Sequence, residues 1–383
     1  MIDDGSVFAS LIEDDARLAV DRAIMELRAG RPVAVGRRGR MAIIAAVDGI
    51  RPSLFDAFAA GASRNPWLAL TAPRAGALGM QADGPIALAI AGLDRDAVCR
   101  LAAGRDAARP TAWKPADFAG LAGIALCKQA LLLPAALVGG PAAGETLPPG
   151  IHRVDADDVY SVIESDHLAV EIVSQARVPI AGDTPANFVV FRGAAAARDQ
   201  IAIVVGDPDP AEPVLVRLHS ACLTGDLFGS LRCDCGDQLR SAIACLRGDG
   251  GGVLLYLDQE GRGIGIRNKM RAYALQDDGL DTIDADATLG FGADERRYEV
   301  AAGMLAALGY RRIRLLTNNP DKVDALKRAG LDVVGRRPLL GAVTPQNQRY
   351  LATKSHRAGH LLDAVLEPPP PPGQAARRVE ASA

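Results

Sequence analysis

The sequence predicts an α/β (mixed α+β) protein of two domains, and three observations carry that expectation. Its 383 residues exceed what one compact core usually organises. In the first part, strand-like apolar runs alternate with Ala-rich helical stretches, the rhythm of a layered fold. In the second part, apolar runs lead into glycine-rich or asparagine-rich turns and then into helical periodicity, giving strand, loop and helix units that suit an anion.

Taken in order, Asp15 to Gly30 sets Leu18, Ile24 and Leu27 on one helical face and stops at a glycine, after which PVAV reads as a buried strand. MAIIAAV, WLALTA and IALAIA follow as strands, with SLFDAFAAG and DRDAVCRLAAG as helices and turn signals at Gly49, Pro66, Pro73 and Gly84. A polar, acidic helix over 151–166 is expected to link the domains. NFVVFRG and QIAIVVGD open the second domain, and PVLVRLHS delivers a loop that carries Cys222, Cys233 and Cys235.

That loop is the chemical centre of the chain. Three thiolates spaced in this way converge on one soft or borderline cation, and zinc is the natural occupant. Structural zinc normally takes four protein ligands, whereas three leave a position for water, whose pKa the metal lowers to about 7. A disulfide between Cys233 and Cys235 would be too strained at that spacing. His219 could supply a fourth ligand, although a substrate or outer contact suits it better. Cys99, Cys127 and Cys245 read as core residues.

Beyond it, GGVLLYLDQEGRGIGIRNKMRAYALQDDG gives a strand, a glycine turn and a helix from about Asn268 to Asp277, with Glu260 and Arg262 inside the turn. A carboxylate accepts protons from a ligand's N–H or O–H groups and a guanidinium suits phosphate. In the next segment Tyr298, Ala302, Leu305 and Leu308 share a helical face that ends at Gly309. There Asp294 reads as an N-cap, with Arg296 and Arg297 in the first turn against the helix dipole, which a bound anion would explain. TNNPDKVDALKRAG repeats the logic, with Asn319 as cap, Pro320 as first helical residue, Lys322 in the first turn and Gly330 as stop. The Pro-rich, Ala/Arg end, 363–383, reads as a solvated tail.

A net charge of -3 argues against nucleic acid or an anionic membrane as partner. The acidic start MIDDGSVFASLIEDD lacks a leader pattern and no apolar run is long enough to span a bilayer, so a cytoplasmic location is expected. A reducing compartment would keep the thiolates available.

From about Val170 to His360 the chain resembles GTP cyclohydrolase II, and residues 167–362 are read as that domain. The resemblance implies that Cys222, Cys233 and Cys235 hold one Zn2+. It also implies that Arg217, Leu218, His219, Ser220, Ala221, Gln238, Glu260, Gly261, Arg262, Thr282, Thr317 and Lys322 contact GTP. By the same likeness Asp294 is the proton acceptor, Tyr273 assists ring opening, and Arg296 is assigned as nucleophile towards the α-phosphate. An arginine pKa above about 12 makes stabilisation of phosphoryl charge the simpler role for Arg296. The implied reaction converts GTP into formate, pyrophosphate and 2,5-diamino-6-(5-phosphoribosylamino)pyrimidin-4(3H)-one, the first step of riboflavin biosynthesis, in a homodimer with Mg2+ on the triphosphate. A paralogue that stops at the formamidopyrimidine or serves another pathway, and a non-catalytic GTP-binding regulator, are the alternatives. Two residues depart from the family pattern, Asp258 where arginine is common and Asp286 where asparagine is usual. Both are expected to weaken phosphate binding without changing the reaction.

Residues 1–166 resemble 3,4-dihydroxy-2-butanone-4-phosphate synthase more weakly, through AIMELRAGRPVAV and DFAGLAGIALCKQALLLPAALV. Where that family has acidic metal ligands after the first strand, this chain has Gly36, Arg37, Arg38, Gly39 and Arg40, and its first histidine is His152. The expected role is therefore a non-catalytic scaffold or interface.

Overall fold

Two seven-stranded sheets organise the chain, seen in a computed structural model that describes residues 15–60, 66–108, 110, 112–140, 146–165, 170–193 and 199–339. The expected domain boundary at 166 and the tail over 363–383 lie outside the described residues.

The first sheet has the order β5-β4-β3-β6-β2-β1-β7, built from β1 Val33–Arg37, β2 Arg40–Ala46, β3 Trp67–Leu70, β4 Ile86–Ala89, β5 Trp113–Pro115, β6 Ala135–Gly139 and β7 His152–Asp155. Its neighbours pair antiparallel except β1 with β7. Strand alternation explains the two cores: Ala136 and Val138 of β6 face one way, Ala135 and Leu137 the other. Helices α1 (Asp15–Arg28), α5 (Phe118–Gln129) and α6 (Ala156–Ser165) cover the first face, while α2 (Pro52–Ala60), α3 (Ala72–Ala77) and α4 (Arg95–Ala103) cover the second. Helix α5 lies tightly on the sheet because it carries glycine: a Cβ on Gly123 would come within 2.8 Å of the Ala136 Cβ.

The second sheet has the order β14-β13-β11-β12-β10-β9-β8, from β8 Val170–Arg177, β9 Ala186–Gly193, β10 Gln200–Gly206, β11 Val214–Ser220, β12 Gly251–Leu257, β13 Arg312–Leu316 and β14 Asp332–Arg337. β14, β13, β11 and β12 run parallel; β10, β9 and β8 continue antiparallel. β11 and β12 are buried nearly throughout, as a parallel sheet covered on both faces requires. Helices α10 (Glu299–Ala307) and α11 (Pro320–Arg328) pack on one face, and α7 (Cys235–Gly248) on the other. Two further helices, α8 (Gly265–Asp277) and α9 (Thr282–Thr288), contact the first unit. There Leu133 joins Ile264, Ala272, Ala285, Leu289 and Phe291 in one buried cluster, with Ala103 packed against it.

Four local expectations change. Residues 151–165 of the expected linking helix belong to the first unit: β7 joins the first sheet, and Ala156, Val159, Val162 and Ile163 bury one face of α6 in the first core. Pro73 marks no turn but the first residues of α3, where its missing N–H costs nothing. Helix α8 begins at Gly265, three residues before Asn268, since a positive φ at Gly265 turns the chain into it. Asp294 caps no helix, because α10 starts at Glu299; Asp294, Arg296 and Arg297 belong to the loop before it, so the helix-dipole argument for the two arginines does not apply.

Among the described residues, no helix is long and apolar enough to cross a membrane.

Candidate active site

The site lies where parallel strands end. β11 leads to Cys222, β12 leads to the 259–262 turn and β13 leads to Thr317, so three loops open on the same carboxyl-end crevice, the usual ligand position of such sheets. Cys222, Cys233, Cys235, Glu260, Arg262, Lys269, Tyr273, Thr282, Asp286, Arg296, Thr317 and Lys322 all line one pocket.

The three thiols meet at one end of two short elements. A π turn over Leu223–Leu227 follows Cys222, and Cys235 begins α7, where the helix N-terminus favours a thiolate. Their ligand atoms lie within 4.8 Å of one another, and the Cys222 and Cys233 sulfurs are 3.7 Å apart. Gly225 makes the cradle: a Cβ there would sit 2.8 Å from the Cys233 Sγ and 3.0 Å from that of Cys222. Hydrogen bonding from Cys233 and Cys235, helped by the charge of Lys269, drives the Cys222 thiol far below the ordinary thiol range, and its anion in turn pushes Cys233 up. Three thiols with one readily ionised, gathered around a space that a methyl group would fill, fit a single borderline metal ion.

Lys269 is the cation at this cluster. Its Nζ donates to the Cys222 Sγ at 3.1 Å, to the Thr224 Oγ1 at 2.9 Å and to the Glu260 Oε1 at 2.8 Å. Glu260 also accepts from the Leu223 N–H through Oε2 at 2.6 Å and from the Gly261 N–H through Oε1. It therefore ties the cysteine loop to the glycine turn, with lone-pair capacity left on Oε2.

His219 is not part of the cysteine group. Its Nε2 lies 3.0 Å from the Asp226 Oδ2, which also accepts from the Tyr256 hydroxyl and the Cys222 N–H. Burial holds the imidazole below its usual pKa, so Nε2 carries the proton and donates it to Asp226. Nδ1 is then a buried acceptor without a partner. Arg217 Nε, Ser220 Oγ, Gln259 Oε1 and Asn319 Nδ2, all on pocket-lining residues, are likewise buried and unpaired. Buried polar atoms normally find partners, and their concentration here marks a cavity shaped for a polar ligand.

The anion side is built from β11, β13 and the loop before α10. Arg217 donates to the Leu316 carbonyl and to the Gln238 Oε1 at 2.6 Å; burial lowers its pKa to about 10, still charged at neutral pH. Lys322, buried in the first turn of α11, donates to the Leu218 carbonyl at 3.0 Å. Arg262 holds a left-handed backbone at φ 61°, a cost that non-glycine residues bear mostly at functional sites. Arg296 pairs with Asp294 through Nε at 2.8 Å and Nη2 at 2.5 Å. Burial opposes ionisation of Asp294, but that fork overrides it and keeps the carboxyl below the usual range.

Of the residues expected from the sequence, Leu218 and Asp294 do not line the pocket, and the others do. Leu218 points into the second core and contributes its carbonyl to Lys322. Asp286 lines the pocket while Asp258 does not; the Asp258 N–H donates to Gln200. Sequence reasoning missed Lys269, Gln259, Gln276, Asn318 and Asn319 as pocket residues. Only Lys269 left a signal, lying four residues before Tyr273 and so on the same helical face.

Three clustered thiols faced by arginines and lysines, in one crevice at the ends of parallel strands, suit a metal ion and an anionic ligand. Residues 171–338 match a family model described as GTP cyclohydrolase II. The chain is 46% identical over 352 residues to a GTP cyclohydrolase-2 of Xylella fastidiosa (strain 9a5c), covering 91% of this chain and 88% of that one. It is 39% identical over 369 residues to that of Azospirillum brasilense, covering 92% and 96%. The chain belongs to the GTP cyclohydrolase II family. A shorter relative, GTP cyclohydrolase-2 of Escherichia coli O9:H4 (strain HS), is 49% identical over 199 residues, 51% of this chain and 100% of its own. Among solved structures, a two-domain 3,4-dihydroxy-2-butanone 4-phosphate synthase from A. baumannii covers 84% of this chain and 99% of its own at 15% identity, with a TM-score of 0.31.

Proposed function

We propose that the chain hydrolyses GTP to formate, pyrophosphate and the diaminopyrimidine ribosylamino phosphate that starts riboflavin biosynthesis. The observation that carries this reading is the meeting, in one pocket, of three convergent thiols with Arg217, Arg262, Arg296 and Lys322. The thiols of Cys222, Cys233 and Cys235 would hold zinc, which when bound supplies an activated water and polarises the group under attack.

The chain's own residues account for the rest. Lys269 compensates the negative charge of the thiolates and fixes Glu260 beside them. Nδ1 of His219 and the free lone pairs of Glu260 offer acceptors to the donor edge of guanine. Tyr273, with a hydroxyl that gives or takes a proton, lines the pocket on the Lys269 face of α8 and serves ring opening. Arg217, Arg262, Thr317 and Lys322 meet the triphosphate, whose charge Mg2+ would partly neutralise. Arg296, oriented by the ionised Asp294, stabilises charge on the phosphoryl group that is transferred. Asp294 in turn is ionised and free to accept a proton when Arg296 engages phosphate.

We take residues 1–166 as a unit without synthase chemistry, 167–362 as the catalytic unit, and the working form as a cytoplasmic homodimer, where a reducing compartment keeps the thiols available. One incubation of zinc-loaded protein with GTP and Mg2+ tests the reading. Formate, pyrophosphate and the diaminopyrimidine should appear together. A formamidopyrimidine end product would indicate a paralogue, and stoichiometric GTP binding without formate would indicate a regulator.

A further inference from the structure

The first unit touches the second at one wall of the pocket. Asp48, in the turn after β2, pairs with both Nη atoms of Arg271 on α8 at 2.9 and 2.6 Å, and accepts from the Leu133 N–H at 3.2 Å. The Asp48 carboxylate is only 7% exposed while the Arg271 side chain keeps 37% of its surface, so the fork is buried on its acidic side and open to water on the other. Arg271 Nη1 also donates to the Asn268 Oδ1 at 2.7 Å, and Asn268, fully buried, donates through Nδ2 to the carbonyls of Leu131 and Ile264. Leu131 holds a left-handed backbone at φ 55° and packs against Gly265, where a Cβ would come within 2.9 Å of its Cδ1. The first unit therefore grips α8 at its first turns, next to Lys269 and one turn before Tyr273.

The same pattern continues along the wall. Arg74, 1% exposed, gives its guanidinium to the carbonyls of Leu101, Arg100 and Gly104 within its own unit and of Thr288 at the end of α9. Thr71 donates to the Gly290 carbonyl at 2.7 Å, and Lys128 pairs with Glu295, whose N–H donates to the Arg262 carbonyl. By contrast, Arg217, Thr317 and Lys322 stand on or beside the second sheet and none of these bonds reaches them; of the four residues assigned to the triphosphate, Arg262 alone is touched by them, at its backbone carbonyl through Glu295.

We propose that the first unit acts as a positioning element for the guanine-opening half of the site, with Asp48 working through Arg271 and Asn268 to place Lys269 and Tyr273. The idea rests on reading the pocket as a GTP site and assigns that reading a new part. Relatives such as the E. coli protein span the second unit alone, so the chemistry itself needs no first unit. In this chain, however, α8 and α9 bury their outer faces against Leu133 and Ala103, and their placement depends on that support. Small displacements of positioned groups cost much in rate, which is how a distant carboxylate reaches the reaction.

The test uses the full chain. For Asp48→Ala and Arg271→Ala we expect kcat for formate release to fall about tenfold while KM for GTP stays within about twofold, because the phosphate side is untouched. Zinc content should equal that of the parent. The double variant should lose no more than either single one, since both break the same link. Asp48→Asn, which keeps one acceptor oxygen, should lose less than Asp48→Ala. Glu26→Gln, in the exposed Glu26 and Arg31 pair of the same unit, should leave kcat unchanged. Parental kcat in Asp48→Ala, additive losses in the double variant, or a loss matched by lost zinc would each overturn the proposal. Failure of the parent protein itself to release formate would instead remove the GTP reading beneath it.

Discussion

The Lys269 ammonium lies 3.1 Å from the Cys222 sulfur and 2.8 Å from a Glu260 oxygen, so one buried cation joins the cysteine loop to the glycine turn. Lys269 and Glu260 side chains are 9% and 11% exposed. Removing one partner of such a pair leaves the other charge without compensation, so Lys269→Met should lower stability by about 3 kcal/mol and suppress formate release. Thermal unfolding and a formate assay on the same preparation check it. Parental stability would mean that water replaces the ammonium at no cost.

Cys233→Ser and Cys235→Ser should each lose the metal and abolish formate release, since a neutral hydroxyl replaces a thiolate poorly on zinc. The phosphate side does not use these sulfurs, and pyrophosphate release should persist. Metal analysis beside separate formate and pyrophosphate assays distinguishes the halves. Ring opening by metal-free protein would remove the thiols from the reaction.

Arg296→Ala should abolish pyrophosphate release, and Arg296→Lys should not restore it. The guanidinium meets Asp294 as a two-nitrogen fork, and a point charge cannot hold that geometry and a phosphate oxygen together. Near-parental pyrophosphate release by the lysine variant would show that charge alone matters.

The buried strands such as β1, β2, β3 and β12, the helix stops at Gly309 and Gly330, and the cysteine cluster were legible because each depends on a local pattern, apolar runs, a glycine with positive φ, or ligand spacing, whereas β5, β7 and β8 were not read as strands. Asp294 was misread as a cap because the loop from 292 to 298 carries cap-like residues, while its geometry is set by the Arg262 carbonyl and by Lys128 on Glu295, contacts distant in sequence. The 151–166 segment was misread for a similar reason. Its polar composition hides a buried face that exists only once β7 pairs with β1. Asp48 and Arg74 left no trace, since an isolated charged residue shows no period and their partners lie more than two hundred positions away in the second unit.

Asp286 gives a pH-dependent prediction. Burial pushes its pKa up to about 7, and Glu295, Asp294 and Asp281 add to the rise, while Arg262 at 3.9 Å opposes it. The folded value thus exceeds the ordinary carboxylate value of 3.8. Between those two values the folded state binds the extra proton, so the associated stability is fully present at lower pH and is lost as pH rises through about 7. Over that window it amounts to about 4 kcal/mol. Asp286→Asn should flatten the fall, gaining most over the parent above pH 7, and should lower KM for GTP there by removing an anion from the pocket. Melting temperatures of both proteins across this range decide it, and parallel curves would mean that Asp286 stays ionised throughout.

The first unit should do no synthase chemistry. Its β1–β2 hairpin, where acidic metal ligands would be needed, presents Arg37, Arg38 and Arg40, with Arg38 and Gly39 forming the left-handed turn and Arg37 paired to Asp157. A divalent cation would be repelled from that tip. His152 is engaged with the Ala19 carbonyl through Nε2 at 2.7 Å. Among the described residues, the three cysteines of the second unit are the one group of three or more His, Cys, Asp or Glu side chains that could hold a metal. Ribulose 5-phosphate with Mg2+ should therefore yield no dihydroxybutanone phosphate from the intact chain, followed by mass spectrometry of the products. Detectable product would mean that carboxylates with structural partners in this unit, such as Asp117 at the start of α5 or Asp48 beneath Arg271, give those partners up to bind metal. For Asp48 that outcome would also couple synthase turnover to the placement of α8, so added Mg2+ and ribulose 5-phosphate would alter formate release as well.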